Sequence, residues 1–147
     1  MTQRRVERLT GLLYLVAFCV AGYLTYEHCT GNATLACSST GVVDCASVTT
    51  SSYSYLFGIP VALLGLLWAL ASLVLWAWGR RALPWARRNP VQLGWLAAGL
   101  AFVLYLVWVE LVPLGKICSW CTVVHVTVLL LFLLRLTAQI LLEDDQG

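Results

Sequence analysis

Charge is scarce in this sequence. Asp, Glu, Lys and Arg make up 11% of its 147 residues, against about 25% in a soluble domain. Hydrophobic residues stand at 61%, so the chain has too few polar side chains to cover a water-facing surface. That excludes a soluble globular protein. Lysine is nearly missing, Lys116 being the one beside eight arginines. Runs that alternate apolar and polar residues are also missing, which excludes the strands of a membrane barrel, and open sheet edges are not tolerated in lipid. Once the long apolar runs are set aside, too little chain remains for a separate soluble domain.

What is present is four such runs, at approximately 9–28, 55–78, 92–114 and 118–142. About 20 apolar residues in a helix cross a bilayer core, so each run is long enough. The expected fold class is an all-α membrane protein, a four-transmembrane-helix bundle forming one domain over 1–147. Its outer loop falls at 29–54 and its cytoplasmic loop at 79–91. Arg4, Arg5 and Arg8 precede the first run, and Arg80, Arg81, Arg87 and Arg88 lie between the second and third. Lys116 is alone on the other side, so positive charge places both termini in the cytoplasm. The expected location is the inner or plasma membrane, multi-pass, with the loop cysteines outside. No small-residue cleavage site follows the first run, which is expected to be retained.

Six cysteines are present: Cys19, Cys29, Cys37, Cys45, Cys118 and Cys121. Cys19 lies within a span and reads as a small packing residue. The other five fall on the outer side, where disulfides persist. Four thiolates can also make a tetrahedral zinc site, but structural zinc normally staples a small soluble domain, whereas here the second pair opens a membrane span. Thiol–disulfide chemistry is therefore favoured and no metal is expected. Cys118, Cys121 and His125 follow at intervals of three and four and share one helix face. A thiolate at a helix N-terminus is stabilised by the macrodipole and the free N–H groups. Redox thiols at the mouth of an apolar helix call for a lipid-soluble acceptor, and a quinone fits.

Several stretches carry a resemblance: "TYEH" at 25–28, Cys37 and Cys45, "CASVTTSSYSYLFGIPVALLGLLW" from 45 to 68, and "YLVWVELVPLGKICSWCTVVH" from 105 to 125. In this order, across four spans, they resemble a bacterial member of the vitamin K epoxide reductase family, of the stand-alone kind without a fused thioredoxin-like domain. DsbB-type quinone reductases have the two cysteine pairs in reverse order. The resemblance implies that Cys118 and Cys121 are the active-site pair, with Cys121 facing the quinone. It implies that Cys37 and Cys45 are a shuttle pair, Cys37 meeting a partner's thiols and Cys45 exchanging with Cys118. Ser51 matches a serine that hydrogen-bonds a quinone oxygen, and Tyr53 an aromatic that helps cap the pocket. His125 stands where other members have a tyrosine reaching the quinone carbonyl.

The function so implied is quinone-linked thiol–disulfide oxidation that supports disulfide formation. The acceptor is menaquinone, ubiquinone or vitamin K, and the partner is an exported thioredoxin-fold, DsbA-like protein supplied as a separate chain. The rival from another class is a four-span scaffold or transporter subunit stapled by two disulfides. Without the resemblance, Ser51 reads as turn chemistry, and His125 as a functional candidate because it lies within a span. Glu110 reads as an interface residue or loop clamp, and Arg135 as a snorkelling cation. Most of Trp76, Trp78, Trp85, Trp95, Trp108 and Trp120 read as interface anchors. Cys19 and Cys29 are expected to be free thiols.

Overall fold

The computed structural model describes residues 2–31, 36–37 and 41–144. Four helices are long and apolar enough to cross a membrane. They are α1 (Gln3–Cys29), α3 (Val61–Ala82), α4 (Trp85–Val109, extended by a wider turn to Leu114) and α5 (Ser119–Asp144). The short helix α2 (Cys45–Thr49) and a two-stranded hairpin, β1 (Tyr55–Leu56) with β2 (Ile59–Pro60), lie between α1 and α3. Helix α1 packs mainly on α3 and α5, and α4 packs mainly on α5. Parts of the long loop, residues 32–35 and 38–40, lie outside the described residues.

The hairpin shortens the second span. The sequence pattern starts it at Tyr55, but the helix begins at Val61. Phe57 and Gly58 have φ of 52° and 81°, and two positive-φ residues make the tight turn that matches strand twist. Tyr55 therefore pairs with Pro60 and Leu56 with Ile59, and Pro60 caps the helix that follows. Helix α4 ends differently. Pro113 has no N–H to donate, and the last turn, Glu110–Leu114, widens to i→i+5 geometry. Gly115, at φ 58°, stops the helix, and the Lys116 N–H closes back on the Glu110 carbonyl at 3.0 Å.

Packing is inverted relative to a soluble protein. Leu12, Val74, Leu104 and Leu130 are exposed, as lipid-facing residues should be, while Glu7, Arg88 and Arg135 are buried. Arg135 does not snorkel: it is 0% exposed and its Nη1 lies 3.0 Å from Glu7 Oε1. Glu7 is near the start of α1, so this contact ties the first and last helices. Trp76 Nε1 donates to the same carboxylate at 2.9 Å, and Trp85 lies against the guanidinium groups of Arg88 and Arg135. These two tryptophans serve the bundle interior rather than the interface. Trp78 and Trp108 are the ones more than half exposed.

Candidate functional site

The opposite end of the bundle carries the cysteines. Residues 41–44 lie alongside 116–117 as a short parallel pairing, Val43 opposite Ile117. Ile117 N–H donates to the Val42 carbonyl at 2.9 Å, and Asp44 N–H donates to the Ile117 carbonyl at 3.1 Å. Lys116 Nζ donates to the Gly41 carbonyl at 2.7 Å, and Trp120 Nε1 to the Ala36 carbonyl at 3.0 Å. Cys45 and Cys118 are the next residues along the two paired segments. Both are buried, at 1% and 0% exposure, in one cluster with Leu24, against which Cys37 and Cys121 also pack. Disulfides join Cys37 to Cys45 and Cys118 to Cys121, with Cα separations of 6.0 and 5.1 Å. Cys19 and Cys29 are free and exposed.

Cys118 caps α5. Its carbonyl accepts the Thr122 N–H at 2.9 Å and its sulfur accepts the Cys121 N–H at 3.2 Å. The position suits a thiolate, since the unpaired N–H groups of the first turn point toward it. Cys118 is sealed beneath the loop, not at an aqueous lip as its place at the start of the span suggests. Cys45 opens α2 in a similar way. Asp44 caps that helix, its Oδ1 accepting the Ser47 N–H at 3.0 Å and its Oδ2 the Ser47 hydroxyl at 2.6 Å. The Ser47 bonds, hydroxyl first, hold the Asp44 carboxyl below the usual carboxylate range.

Beneath this cluster lies a cavity of about 340 Å³, within the usual range of about 300–1,000 Å³ for small-molecule sites. Helices α1, α3, α4 and α5 form its walls, and the segment Val48–Ser54 roofs it. Cys121, His125, Ser51 and Tyr53 all line it, whereas Cys37, Cys45 and Cys118 do not. His125 is 8% exposed and has no hydrogen-bond partner among the described residues. The Ser51 hydroxyl donates to the Val48 carbonyl at 2.8 Å, so its proton is engaged within the roof. Tyr53 is 42% exposed and sits at the cavity's edge.

Of the other wall features, His28 and Trp68 were assigned no role from sequence, while Glu110 read as an interface residue or loop clamp and Trp95 as an interface anchor. His28, the last residue of "TYEH", bridges α1 to the roof: its Nδ1 lies 3.2 Å from the Thr49 carbonyl and its Nε2 3.0 Å from the Tyr55 hydroxyl. Glu110 is 6% exposed and lines the cavity. A carboxylate within a span was the available signal. Trp68 and Trp95 stack with ring planes 4° apart and form the deep wall. Trp95 Nε1 donates to Ser72 at 2.8 Å, so it belongs to the interior and not to the membrane interface. Trp120, which pins the loop, departs from the interface reading as well, as Trp76 and Trp85 do. Among the described residues no three or more His, Cys, Asp or Glu gather as a metal-binding group.

A disulfide on the wall of an apolar cavity, inside a membrane bundle and backed by a second disulfide, defines a membrane thiol oxidoreductase with a lipid-soluble substrate. The chain matches the vitamin K epoxide reductase family over residues 8–136, and belongs to it. It is accordingly a membrane quinone-dependent thiol oxidoreductase, with a quinone as electron acceptor.

Proposed function

We propose that the protein reoxidises an exported thioredoxin-fold, DsbA-like partner and passes the electrons through Cys37–Cys45 and Cys118–Cys121 to a membrane quinone. The observation that carries this reading is the shared buried cluster of Cys45 and Cys118, with Cys121 on the cavity wall beyond it. A partner thiolate attacks Cys37, the more accessible of the loop pair, and the second partner thiol resolves the mixed disulfide. The partner leaves oxidised and the loop pair is left as two thiols. The Cys45 thiolate then attacks the Cys118 sulfur and Cys121 leaves as thiolate. Cys37 resolves the Cys45–Cys118 bond, which closes the loop disulfide again and frees Cys118.

Quinone reduction completes the cycle. The Cys121 thiolate gives its electron pair to the quinone, Cys118 closes the disulfide, and the two protons of the dithiol end on the quinol oxygens. Ser51, Tyr53 and His125 border the ring, and Glu110 and His125 are the cavity groups able to carry the protons. The arginine distribution supports an orientation with the cysteine end outside the cytoplasm. Labelling the exposed Cys29 thiol with a membrane-impermeant maleimide on intact cells tests that orientation, and no labelling sinks it. The function is tested with purified protein, a reduced thioredoxin-fold donor, and menaquinone, ubiquinone or vitamin K in turn. Turnover with at least one quinone is expected. None with any of them leaves a disulfide-stapled scaffold.

A further inference from the structure

At the end of the bundle away from the cysteines, an open cleft of about 450 Å³ is lined by Gln3, Arg4, Glu7, Arg8, Arg80 and Arg88. Its carboxylate, Glu7, is saturated. Oε1 accepts from Arg88 Nη2 at 2.8 Å and Arg135 Nη1 at 3.0 Å. Oε2 accepts from Trp76 Nε1 at 2.9 Å and lies 3.7 Å from Arg80 Nε. The guanidinium groups of Arg80, Arg88 and Arg135 thus gather around one negative charge, and Arg4 and Arg8 line the same cleft. Arg88, a wall of the cleft, is 5% exposed, and its Nε has no hydrogen-bond partner among the described residues; the same holds for Arg135 Nε and Nη2.

Arginine does not shed its proton in proteins, and burying uncompensated charge is costly. A trapped water satisfies a donor but brings no charge. An anion does both. We infer that this cleft binds the phosphate of an anionic phospholipid headgroup. The cleft is built from the first turns of α1, the last turn of α3 and the first turn of α4, which is where spans meet the headgroup layer. Arg4 and Arg8 are exposed and one turn apart on α1, and guanidinium forks suit phosphate oxygens bidentately. Basic pockets between membrane helices are known sites for such headgroups. The occupant joins α1, α3 and α4, so it raises bundle stability by linkage. Free inorganic phosphate shares the chemistry and is the second source to distinguish.

The test uses the full chain in phosphatidylcholine nanodiscs, titrated with phosphatidylglycerol of the same acyl chains. Native mass spectrometry counts retained lipid and thermal unfolding follows stability. Selective retention of phosphatidylglycerol with a higher unfolding temperature is expected. Arg4→Gln with Arg8→Gln should weaken that preference roughly a hundredfold, through the loss of two charge-assisted hydrogen bonds to the phosphate. Arg81→Gln with Arg87→Gln removes the same charge from the same end, outside the cleft, and should leave the preference largely intact. Equal losses in the two double variants reduce the effect to a diffuse field and overturn the site. Wild-type protein that retains both lipids equally overturns it without any variant. If inorganic phosphate stabilises wild type but not the Arg4, Arg8 variant, and phosphatidylglycerol does neither, the cleft is a phosphate site and the lipid assignment is wrong.

Discussion

Cys118 and Cys121 are three residues apart and occupy different environments. Cys118 is sealed under the loop as the cap of α5, and Cys121 opens on the cavity. Cys121→Ala should therefore abolish quinone reduction while leaving the protein folded in detergent, because it removes the proposed electron donor and little packing. Turnover retained in a stopped-flow quinone assay overturns the role of Cys121. At Ser51 the hydroxyl already donates to the Val48 carbonyl. A quinone oxygen must compete for that proton. A neutral hydrogen bond is worth about 0.5–1.5 kcal/mol net, so Ser51→Ala should slow quinone reduction by up to roughly tenfold. Exchange at the loop pair should be untouched, and an unchanged quinone rate returns Ser51 to turn chemistry. The Cys121–His125 face was legible in sequence because positions i and i+4 on a helix need no tertiary information. The burial of Cys118 was not, because the residues that cover it come from 41–45, more than seventy positions away.

Between elements, the parallel pairing of residues 41–44 with 116–117 sets the two disulfides side by side. If electrons cross there, a Cys45–Cys118 bond must form in passing. Replacing both resolving thiols, Cys37→Ser with Cys121→Ser, should trap it. After a protease cut between Cys45 and Ser54, the amino-terminal fragment should stay attached to the α5 fragment on a non-reducing gel and separate on adding reductant. Separation without reductant rules the step out. A second test concerns the deep wall, where α3 and α4 approach closely. A Cβ at Gly99 would fall 2.5 Å from the Trp68 ring, and Trp68 is braced by its stack with Trp95. Gly99→Ala should cost about 1–3 kcal/mol through overpacking, more than the ~1 kcal/mol that alanine gains over glycine in a helix. Its quinone KM should also rise as Trp68 shifts into the cavity. Unfolding temperature and quinone titration together check this, and a more stable variant with unchanged KM contradicts the packing. Hydropathy located the spans but misplaced the start of the second, since it does not register the turn that Phe57 and Gly58 impose on residues 55–60.

Across the whole molecule, two polar clusters sit at opposite ends of an apolar bundle. The cysteine end carries two disulfides above the cavity, and the arginine end ties four helices to one carboxylate. Glu7→Gln keeps the shape and removes the charge, leaving Arg88 and Arg135 buried without a counterion. Breaking such a pair costs about 3–5 kcal/mol, so the variant should unfold far more readily in denaturing detergent. A loss under about 1 kcal/mol, the worth of a surface pair, contradicts the network.

The amino-acid sequence by itself determined the class, the number of spans and the face that carries Cys121 and His125. Hydropathy, helical spacing and cysteine order are properties of local windows, and they survive without knowledge of contacts. The tertiary structure alone decided that Cys45 lies with Cys118, that Glu110 and His28 wall the cavity, and that Arg135 meets Glu7 across 128 positions of chain. Each of these brings together groups that lie far apart along the chain. In an apolar bundle such groups must find one another in three dimensions, and many partners satisfy the same local pattern. Which ones meet is fixed only when the helices pack.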